Sequence, residues 1–186
     1  PNKVIMKWWT YNGKEFVNDW LANATWTDGK RPDDFISIQE DKNMQGYANT
    51  IALEEYNKYI ENPNNGKDQD LCVKPVKGLD AFETDHPSPS SSSGWYWPSV
   101  EELKYVCWGQ GNEKGEAGKK MLDTQIKKVS GSNVFDKGLD YFWSSTEYSG
   151  DSGNAAWNVR FNHLGILSYT GRKSNSSYRV RPLLAF

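Results

Sequence analysis

Three stretches near the end of the chain decide the fold: residues 141–147 read YFWSSTE, residues 155–161 read AAWNVRF and residues 178–186 read YRVRPLLAF. Each stretch combines aromatic or aliphatic side chains with few charges. The segment between the second and third stretches is chemically mixed. This contrast predicts a rigid frame that holds a surface whose residue types are free to vary. Such a surface favours binding over catalysis.

Two of these stretches show the two-residue period of a strand with one buried face. Trp157, Val159 and Phe161 alternate with polar neighbours, so the apolar side chains are expected to point inward and the polar ones outward. The same alternation recurs over residues 178–182, where Pro182 suits the end or the edge of a strand. We therefore expect two strands in this part of the chain.

Earlier in the chain the apolar residues follow a helical period. Helices are predicted over residues 14–24, 50–61 and 116–129, and from residue 99 onward. Thr50 is expected to cap the helix over residues 50–61. Ser99 with Glu102 forms a capping-box pattern at the start of the helix that begins at residue 99. A short strand is predicted at residues 35–38. Early helices and late strands predict an α+β fold.

The serine-rich stretch at residues 88–94 has the composition of a linker. We interpret it as a long surface loop, because ordered signals resume at once with Trp95, Tyr96 and Trp97. A chain of 186 residues can bury a sizeable core in one domain. Residues 1–186 are thus expected to form a single domain, in which residues 1–40 are an amino-terminal extension or the first elements.

The net charge of −2 is too small to indicate binding to nucleic acid or to a membrane. The charge is uneven, because no acidic residue follows Asp151 whereas five basic residues do. The final segment therefore carries +5 and the remainder −7. The five basic residues are Arg160, Arg172, Lys173, Arg179 and Arg181. No run of about 18 apolar residues is present, so no transmembrane segment is expected.

Residues capable of catalysis do not form a recognisable site. His86 and His163 lie in loop-like contexts away from any serine or cysteine arrangement, so we expect neither an enzyme nor a cofactor. Cys72 and Cys107 form one disulfide or remain two buried thiols. The polar turn at residues 62–70 loosely resembles a calcium loop. It lacks the proper spacing and the closing glutamate, so a turn without a metal is expected.

One segment departs from the composition of the rest. Residues 158–178 contain a single member of the set Glu, Lys, Gln, Met and Trp, namely Lys173. These five amino acids are the ones that mutation of the adenines in an asparagine codon does not reach. An ordinary exposed hairpin rich in turn formers is the other interpretation of this composition.

Several blocks of the sequence resemble the variable proteins of diversity-generating retroelements. The resemblance is carried by residues 142–147, 156–161 and 180–186, by residues 95–103 and by residues 46–50. It covers roughly residues 40–186. It implies a C-type-lectin fold, in the group that includes formylglycine-generating enzymes. In that fold helices pack around a small antiparallel sheet, with an exposed variable face near the carboxy terminus.

In such proteins adenine-directed mutagenesis alters the displayed residues, which contact a ligand. The resemblance implies that residues 142–186 are the variable repeat and that the partner is a protein or glycan on a cell surface. The implied location is a bacterial cell surface or a phage virion. The implied ligand-binding positions are Asn158, Arg160, Asn162, His163, Ile166, Ser168, Tyr169, Thr170, Arg172, Ser174 and Tyr178.

An alternative is a fixed adhesin or glycan-binding domain of the same fold, whose surface is not diversified. The calcium-dependent sugar site of vertebrate lectins is not matched, because Trp157 and Asn158 are followed by Val159 and not by an aspartate. An oxidase like the formylglycine-generating enzymes is not matched either, because Cys72 and Cys107 do not lie in counterparts of its cysteine pair.

Overall fold

The computed structural model describes residues 4–5, 7–8, 17–24, 35–108, 117–129, 141–160, 167–175 and 178–186; only the backbone is described for 4–5, 107–108, 117–120 and 167–169. The helices are α1 (Val17–Asn23), α2 (Gly46–Glu61), α3 (Lys74–Lys77), α4 (Leu79–Asp85), α5 (Val100–Trp108) and α6 (Ala117–Ile126). The strands are β1 (Val4–Ile5), β2 (Tyr141–Glu147), β3 (Ala155–Arg160), β4 (Leu167–Arg172) and β5 (Arg179–Val180). The predicted α+β class is confirmed.

The five strands form one sheet in the order β1-β5-β2-β3-β4. β2 pairs with β3 and β3 with β4 in antiparallel fashion, and β1 pairs with β5 in the same way. β5 lies parallel to β2, so the expectation of a wholly antiparallel sheet is wrong. The parallel pair arises because the chain returns across β3 and β2 after β4. It then adds β5 on the far side of β2.

The centre of the sheet is buried on both faces. On one face Trp143 and Ala156 belong to a core that includes Trp8 and buried residues of α2. On the other face Phe142 and Val159 pack against α5. The sheet is therefore a layer between two sets of helices. The expected half-buried strand with an outward polar face is wrong for β3.

The register between β2 and β3 shifts along the length of β2. Its pairing with β3 is regular up to Trp143, and the register then shifts before Glu147. Two indole N–H groups bind the carbonyl oxygens at this point: Trp97 donates to Trp143 at 2.9 Å, and Trp8 donates to Ser144 at 3.0 Å. The two indole rings themselves lie 5.6 Å apart. These bonds supply side-chain donors to the carbonyl oxygens of Trp143 and Ser144 where the register with β3 shifts.

The predicted capping box is present at the start of α5. The backbone N–H of Ser99 donates to the carboxylate of Glu102 at 2.7 Å, and the N–H of Glu102 donates to the Ser99 hydroxyl at 3.3 Å. The same carboxylate accepts the backbone N–H of Gly46, the first residue of α2, at 3.0 Å. One side chain thus serves the amino termini of two helices.

Two predictions are wrong: the start of the second helix and the strand at residues 35–38. α2 begins at Gly46, and Thr50 lies inside it, with its hydroxyl bound to the Gly46 carbonyl oxygen at 2.8 Å. Residues 35–38 form no strand, although the carbonyl oxygen of Ile38 accepts the N–H of Glu147 at 3.0 Å. Among the described helices none is long and apolar enough to cross a membrane.

The carboxy-terminal tail pairs with the loop that precedes α5. Tyr96 and Leu183 exchange two backbone hydrogen bonds of 3.0 and 2.9 Å. The N–H of Ser93 donates to the Ala185 carbonyl oxygen at 2.9 Å. These contacts agree with the interpretation of residues 88–94 as a surface loop and tie that loop to the end of the chain.

Candidate ligand-binding site

Three aromatic side chains lie together on one face of the sheet. Tyr141 and Trp143 alternate along β2, and Tyr178 lies directly before β5. The Tyr178 ring centroid lies 4.9 Å from that of Tyr141, in a stacked arrangement, and 4.6 Å from that of Trp143. Tyr141 and Tyr178 are half-buried, whereas Trp143 is fully buried. This aromatic cluster therefore has two partly exposed rings on a rigid base.

Arg160 adds a cation to the aromatic cluster. It pairs with Tyr141 across β3 and β2, and its guanidinium carbon lies 5.3 Å from the Tyr141 ring centroid. Such a contact contributes about 0.5–1 kcal/mol at an exposed site. Tyr and Arg are enriched among residues that dominate binding energies at interfaces. Of the predicted ligand-binding positions, the structure thus brings Arg160 and Tyr178 together.

Asn158 also faces the aromatic cluster, but it is fully buried. It pairs with Trp143 on β2 and with Tyr169 on β4. Its predicted outward orientation is wrong, because this face of β3 is covered. Among the residues that the structure describes, neither Oδ1 nor Nδ2 of Asn158 has a hydrogen-bond partner.

Gly171 on β4 leaves the space in which these side chains meet. A Cβ atom at Gly171 would lie 2.5 Å from Cε2 of Tyr178, 2.9 Å from Cη2 of Trp143 and 3.0 Å from Nδ2 of Asn158. The Tyr178 ring therefore occupies the volume that any other residue at this position would fill. The absence of a side chain at Gly171 allows Tyr178 to lie against the sheet beside Asn158.

The other predicted positions are not gathered at this site. Thr170 and Arg172 are exposed, and their pairing with Trp157 and Ala155 places them on the opposite face from Asn158. Ser174 is half-buried. The structure describes only the backbone of Ser168 and Tyr169, and Asn162, His163 and Ile166 lie outside the described residues.

Lys173 is a buried residue that sequence reasoning did not single out as structural. Its ammonium group forms a fully buried ion pair with Glu147 and donates to the Ser152 carbonyl oxygen at 2.6 Å. It also lies 4.5 Å from the Trp8 ring centroid. Burial lowers the pKa of Lys173, and the Glu147 carboxylate opposes this effect. The one lysine in the compositionally unusual segment thus belongs to the core.

Tyr141 is the other residue that the sequence analysis missed. The available signal was its two-residue spacing from Trp143, which places both side chains on the same face of a strand.

The described part of the chain contains no group of three His, Cys, Asp or Glu residues able to hold a metal ion. Cys72 is a buried free thiol, so no disulfide joins it to Cys107. In the polar turn, Asn62 and Asp68 use side-chain oxygens to accept backbone N–H groups two residues ahead. These bonds support the interpretation of residues 62–70 as a turn.

A concavity of about 280 Å³ lies between α5, α6 and the carboxy-terminal tail, away from the aromatic cluster. Phe82, Trp95 and Leu122 are among its lining residues, and every lining residue except Arg181 is apolar. Burial lowers the pKa of Arg181, and Asp123 opposes this effect. The cavity suits an apolar group better than a polar one.

No family model matches the sequence. The chain is 26% identical over 210 residues to a candidate fimbrium tip subunit, Fim1C, of Bacteroides ovatus, and the match covers 100% of this chain and 34% of that protein. The crystal structure of a fimbrial protein from Bacteroides ovatus has the same fold, with a TM-score of 0.65 and 23% identity over 97% of this chain and 33% of that chain. The chain therefore spans about a third of the length of these relatives.

These relatives correct the family that the sequence blocks resembled. The assignment to the variable proteins of diversity-generating retroelements is wrong, because both matching proteins are named as fimbrial. The location on a phage virion has no support, because neither is a phage protein. Neither is named as an enzyme, in agreement with the expectation of a binding protein without catalysis.

Proposed function

We propose that this chain is a ligand-recognition domain of a bacterial fimbrial surface protein, with a binding surface that is not diversified. This is the fixed adhesin considered as the alternative from the sequence. The similarity to the two fimbrial proteins of Bacteroides ovatus supports it. Because the chain spans about a third of those relatives, the proposal concerns this domain and its own ligand.

The observation that carries the proposal is the aromatic cluster with Arg160 at its side. Tyr141, Tyr178 and Arg160 are all half-buried, so each has part of its surface accessible. Strands β2 and β3 hold Tyr141 and Arg160 at fixed positions, and a rigid support reduces the entropy lost on binding. The partner is a protein or glycan on a cell surface.

We infer a single C-type-lectin-like domain over residues 1–186, in which the first and last strands of the sheet, β1 and β5, are neighbours. An experimental structure of the whole chain tests this, and a second independent core within these residues would contradict it.

The function is tested with the fluorescently labelled chain on arrays of glycans and of extracellular proteins. We expect binding to a defined subset of the array. Arg160→Gln should weaken this binding about tenfold or more, since it removes a charge-assisted contact worth about 1.4 kcal/mol or more. Thr170→Ala, on the opposite face of the sheet, is the control and should leave binding unchanged.

Equal melting temperatures of the wild type and both variants are required for this comparison. Binding to no spot on either array would count against the proposal. So would identical binding by the wild type and Arg160→Gln, because recognition would then occur elsewhere on the chain.

A further inference from the structure

We propose that the carboxamide of Asn158 is a concealed ligand contact, covered by Tyr178, and that its ligand is a saccharide with two neighbouring hydroxyl groups. This inference rests on the proposed function and narrows the ligand class of the same site. It is carried by the buried position of Asn158 and by the side chains that surround it.

The carboxamide of Asn158 is fully buried and makes no hydrogen bond to the described part of the chain. It has one acceptor oxygen and two N–H donors, and neither polar atom has a hydrogen-bond partner. Buried polar side chains in native proteins are nearly always hydrogen-bonded to protein or to ordered water. Among the described residues nothing meets this need, and we infer that a bound ligand does.

The cover over Asn158 consists of a side chain that can turn without unfolding the sheet. Tyr178 precedes the short strand β5 and is half-buried. Its ring lies over Gly171, where a Cβ atom would touch both Tyr178 and Nδ2 of Asn158. Rotation of one tyrosine side chain would thus open a path from the surface to the carboxamide. This rotation breaks the ring contacts of Tyr178 with Tyr141 and Trp143, a cost that ligand binding must offset.

The chemistry of the surroundings favours a saccharide. One hydroxyl donates to Oδ1 while its neighbour accepts from Nδ2, so a pair of adjacent hydroxyls fills both atoms of a carboxamide. The accessible part of the Tyr141 ring suits the C–H face of a sugar, and Arg160 supplies donors for a further hydroxyl. The apolar cavity at α5 and α6 lacks this combination.

A primary amide from a partner protein would also pair with Asn158, but it has no C–H face to lay on the Tyr141 ring. Ordered water is the third occupant to distinguish. A saccharide, a primary amide and water should each change the NMR signal of the Asn158 side chain differently, so one experiment separates them.

The test follows the side-chain NH₂ signal of Asn158 by NMR in the whole chain labelled with ¹⁵N-asparagine. The signal is assigned by its loss in Asn158→Leu. The probes are methyl α-mannopyranoside, methyl β-galactopyranoside, methyl α-fucopyranoside and, as a primary amide, propionamide. We expect at least one glycoside to shift the signal with a Kd of about 1 mM, and propionamide to leave it in place.

Asn158→Leu is the matched variant because leucine has a similar size and no polar atom. We expect it to weaken glycoside binding about tenfold or more without lowering the melting temperature, since it removes buried groups that lack partners. Thr170→Ala should keep both the binding and the shift. If Asn158→Leu does not fold, the titration of the wild type still decides the matter, with the signal assigned through Asn158→Ser.

Several outcomes would overturn the inference. One is an Asn158 NH₂ signal that no glycoside shifts. Magnetisation transfer from a long-lived bound water to that signal would then identify water as the occupant, and its absence would not rescue the inference. Another is a signal that only propionamide moves, which would assign the site to a protein amide. Array binding that persists in Asn158→Leu would also overturn it while leaving the proposed function intact. Glycoside binding at Asn158 without binding to any surface ligand would contradict the proposed function alone.

Discussion

The carboxylate of Glu102 binds the backbone N–H of Gly46 at 3.0 Å, although the two residues lie 56 positions apart in the sequence. Glu102 also binds the N–H of Ser99 at 2.7 Å, and the hydroxyl of Tyr96 donates to it at 3.3 Å. Helices α2 and α5 therefore begin at one buried acidic group. The partial positive charge at the amino terminus of each helix offsets part of the cost of burying this acidic group.

Gly46→Ala should be destabilising, because the site has no room for a side chain. A Cβ atom would lie 2.1 Å from Oε2 of Glu102 and 2.6 Å from the backbone nitrogen of Ser99. We expect a loss of about 1–3 kcal/mol in the free energy of unfolding, measured by urea denaturation. Met44→Ala, at an exposed position, should stay within about 0.5 kcal/mol. Equal stabilities of the two variants would refute the close contact.

Glu102 should give stability a pH dependence of definite sign. Burial raises the pKa of Glu102, against hydrogen bonds from Ser99, Gly46 and Tyr96 that lower it. The folded state then binds a proton more readily than the unfolded chain. The contribution of Glu102 is therefore greatest below the ordinary glutamate pKa of about 4.3 and is lost as the pH rises through the raised value.

This sign is measured by comparing the wild type with Glu102→Gln in urea at a series of pH values from about 4 to about 7. The stability of the wild type relative to the variant should fall as the pH rises. Glu101→Gln, which removes the same charge from the neighbouring position of α5, controls for the change in net charge. A relative stability that increases with pH would show that the hydrogen bonds outweigh burial.

Removal of either partner of the Lys173–Glu147 ion pair should be costly. Both side chains are fully buried, so Lys173→Met or Glu147→Gln leaves the other charge without its counterion. We expect each single variant to lose about 3–5 kcal/mol in the free energy of unfolding, and the double variant to lose clearly less than the sum. Lys77→Met removes one partner of the exposed Lys77–Glu61 pair and should cost about 1 kcal/mol or less. Strict additivity in the double variant would argue against the pair.

Cys72 should be unreactive while the chain is folded. It is a buried free thiol, and burial raises its pKa, so little of the nucleophilic thiolate is present. In a Cys107→Ser background, in which Cys72 is the remaining cysteine, we expect slow reaction with Ellman's reagent in buffer and rapid reaction in denaturant. Rapid reaction in buffer would show that the thiol is accessible.

Local patterns predicted those contacts that are local in the chain. Ser99 and Glu102 are three residues apart, so the capping box was readable from their spacing. The bond from Glu102 to Gly46 was not readable, because it depends on how α2 and α5 pack. For the same reason the local pattern predicts a cap at Thr50, although α2 begins four residues earlier.

Asn158 and Lys173 show why a local period fails at the candidate site. Alternation along β3 assigns one face to the interior and one to solvent, but here both faces are covered. A polar residue on the second face then becomes buried, as Asn158 does. Lys173 directly follows β4, and its burial depends on Glu147, which lies 26 positions earlier.

The motif blocks that suggested a retroelement protein are parts of the frame. Trp97, Ser99, Glu102 and Trp143 bind backbone groups or fill the core, and none belongs to an exposed recognition surface. A resemblance carried by such residues concerns the packing of the scaffold. It contains no information on how the exposed positions arose. The retroelement assignment was corrected by the similarity to fimbrial proteins.

The antiparallel contact between β1 and β5 has a mechanical consequence. Val4 lies beside Val180 and Ile5 beside Arg179, so the outer ends of the two strands point the same way. Tension applied between the two ends of the chain would first peel the tail from Ser93 and Tyr96. It would then open β1 from β5 one bond at a time and would not load the ladder in shear. The longer β2–β3–β4 ladder, which includes Arg160 and Asn158, would be the last part of the sheet to feel that force.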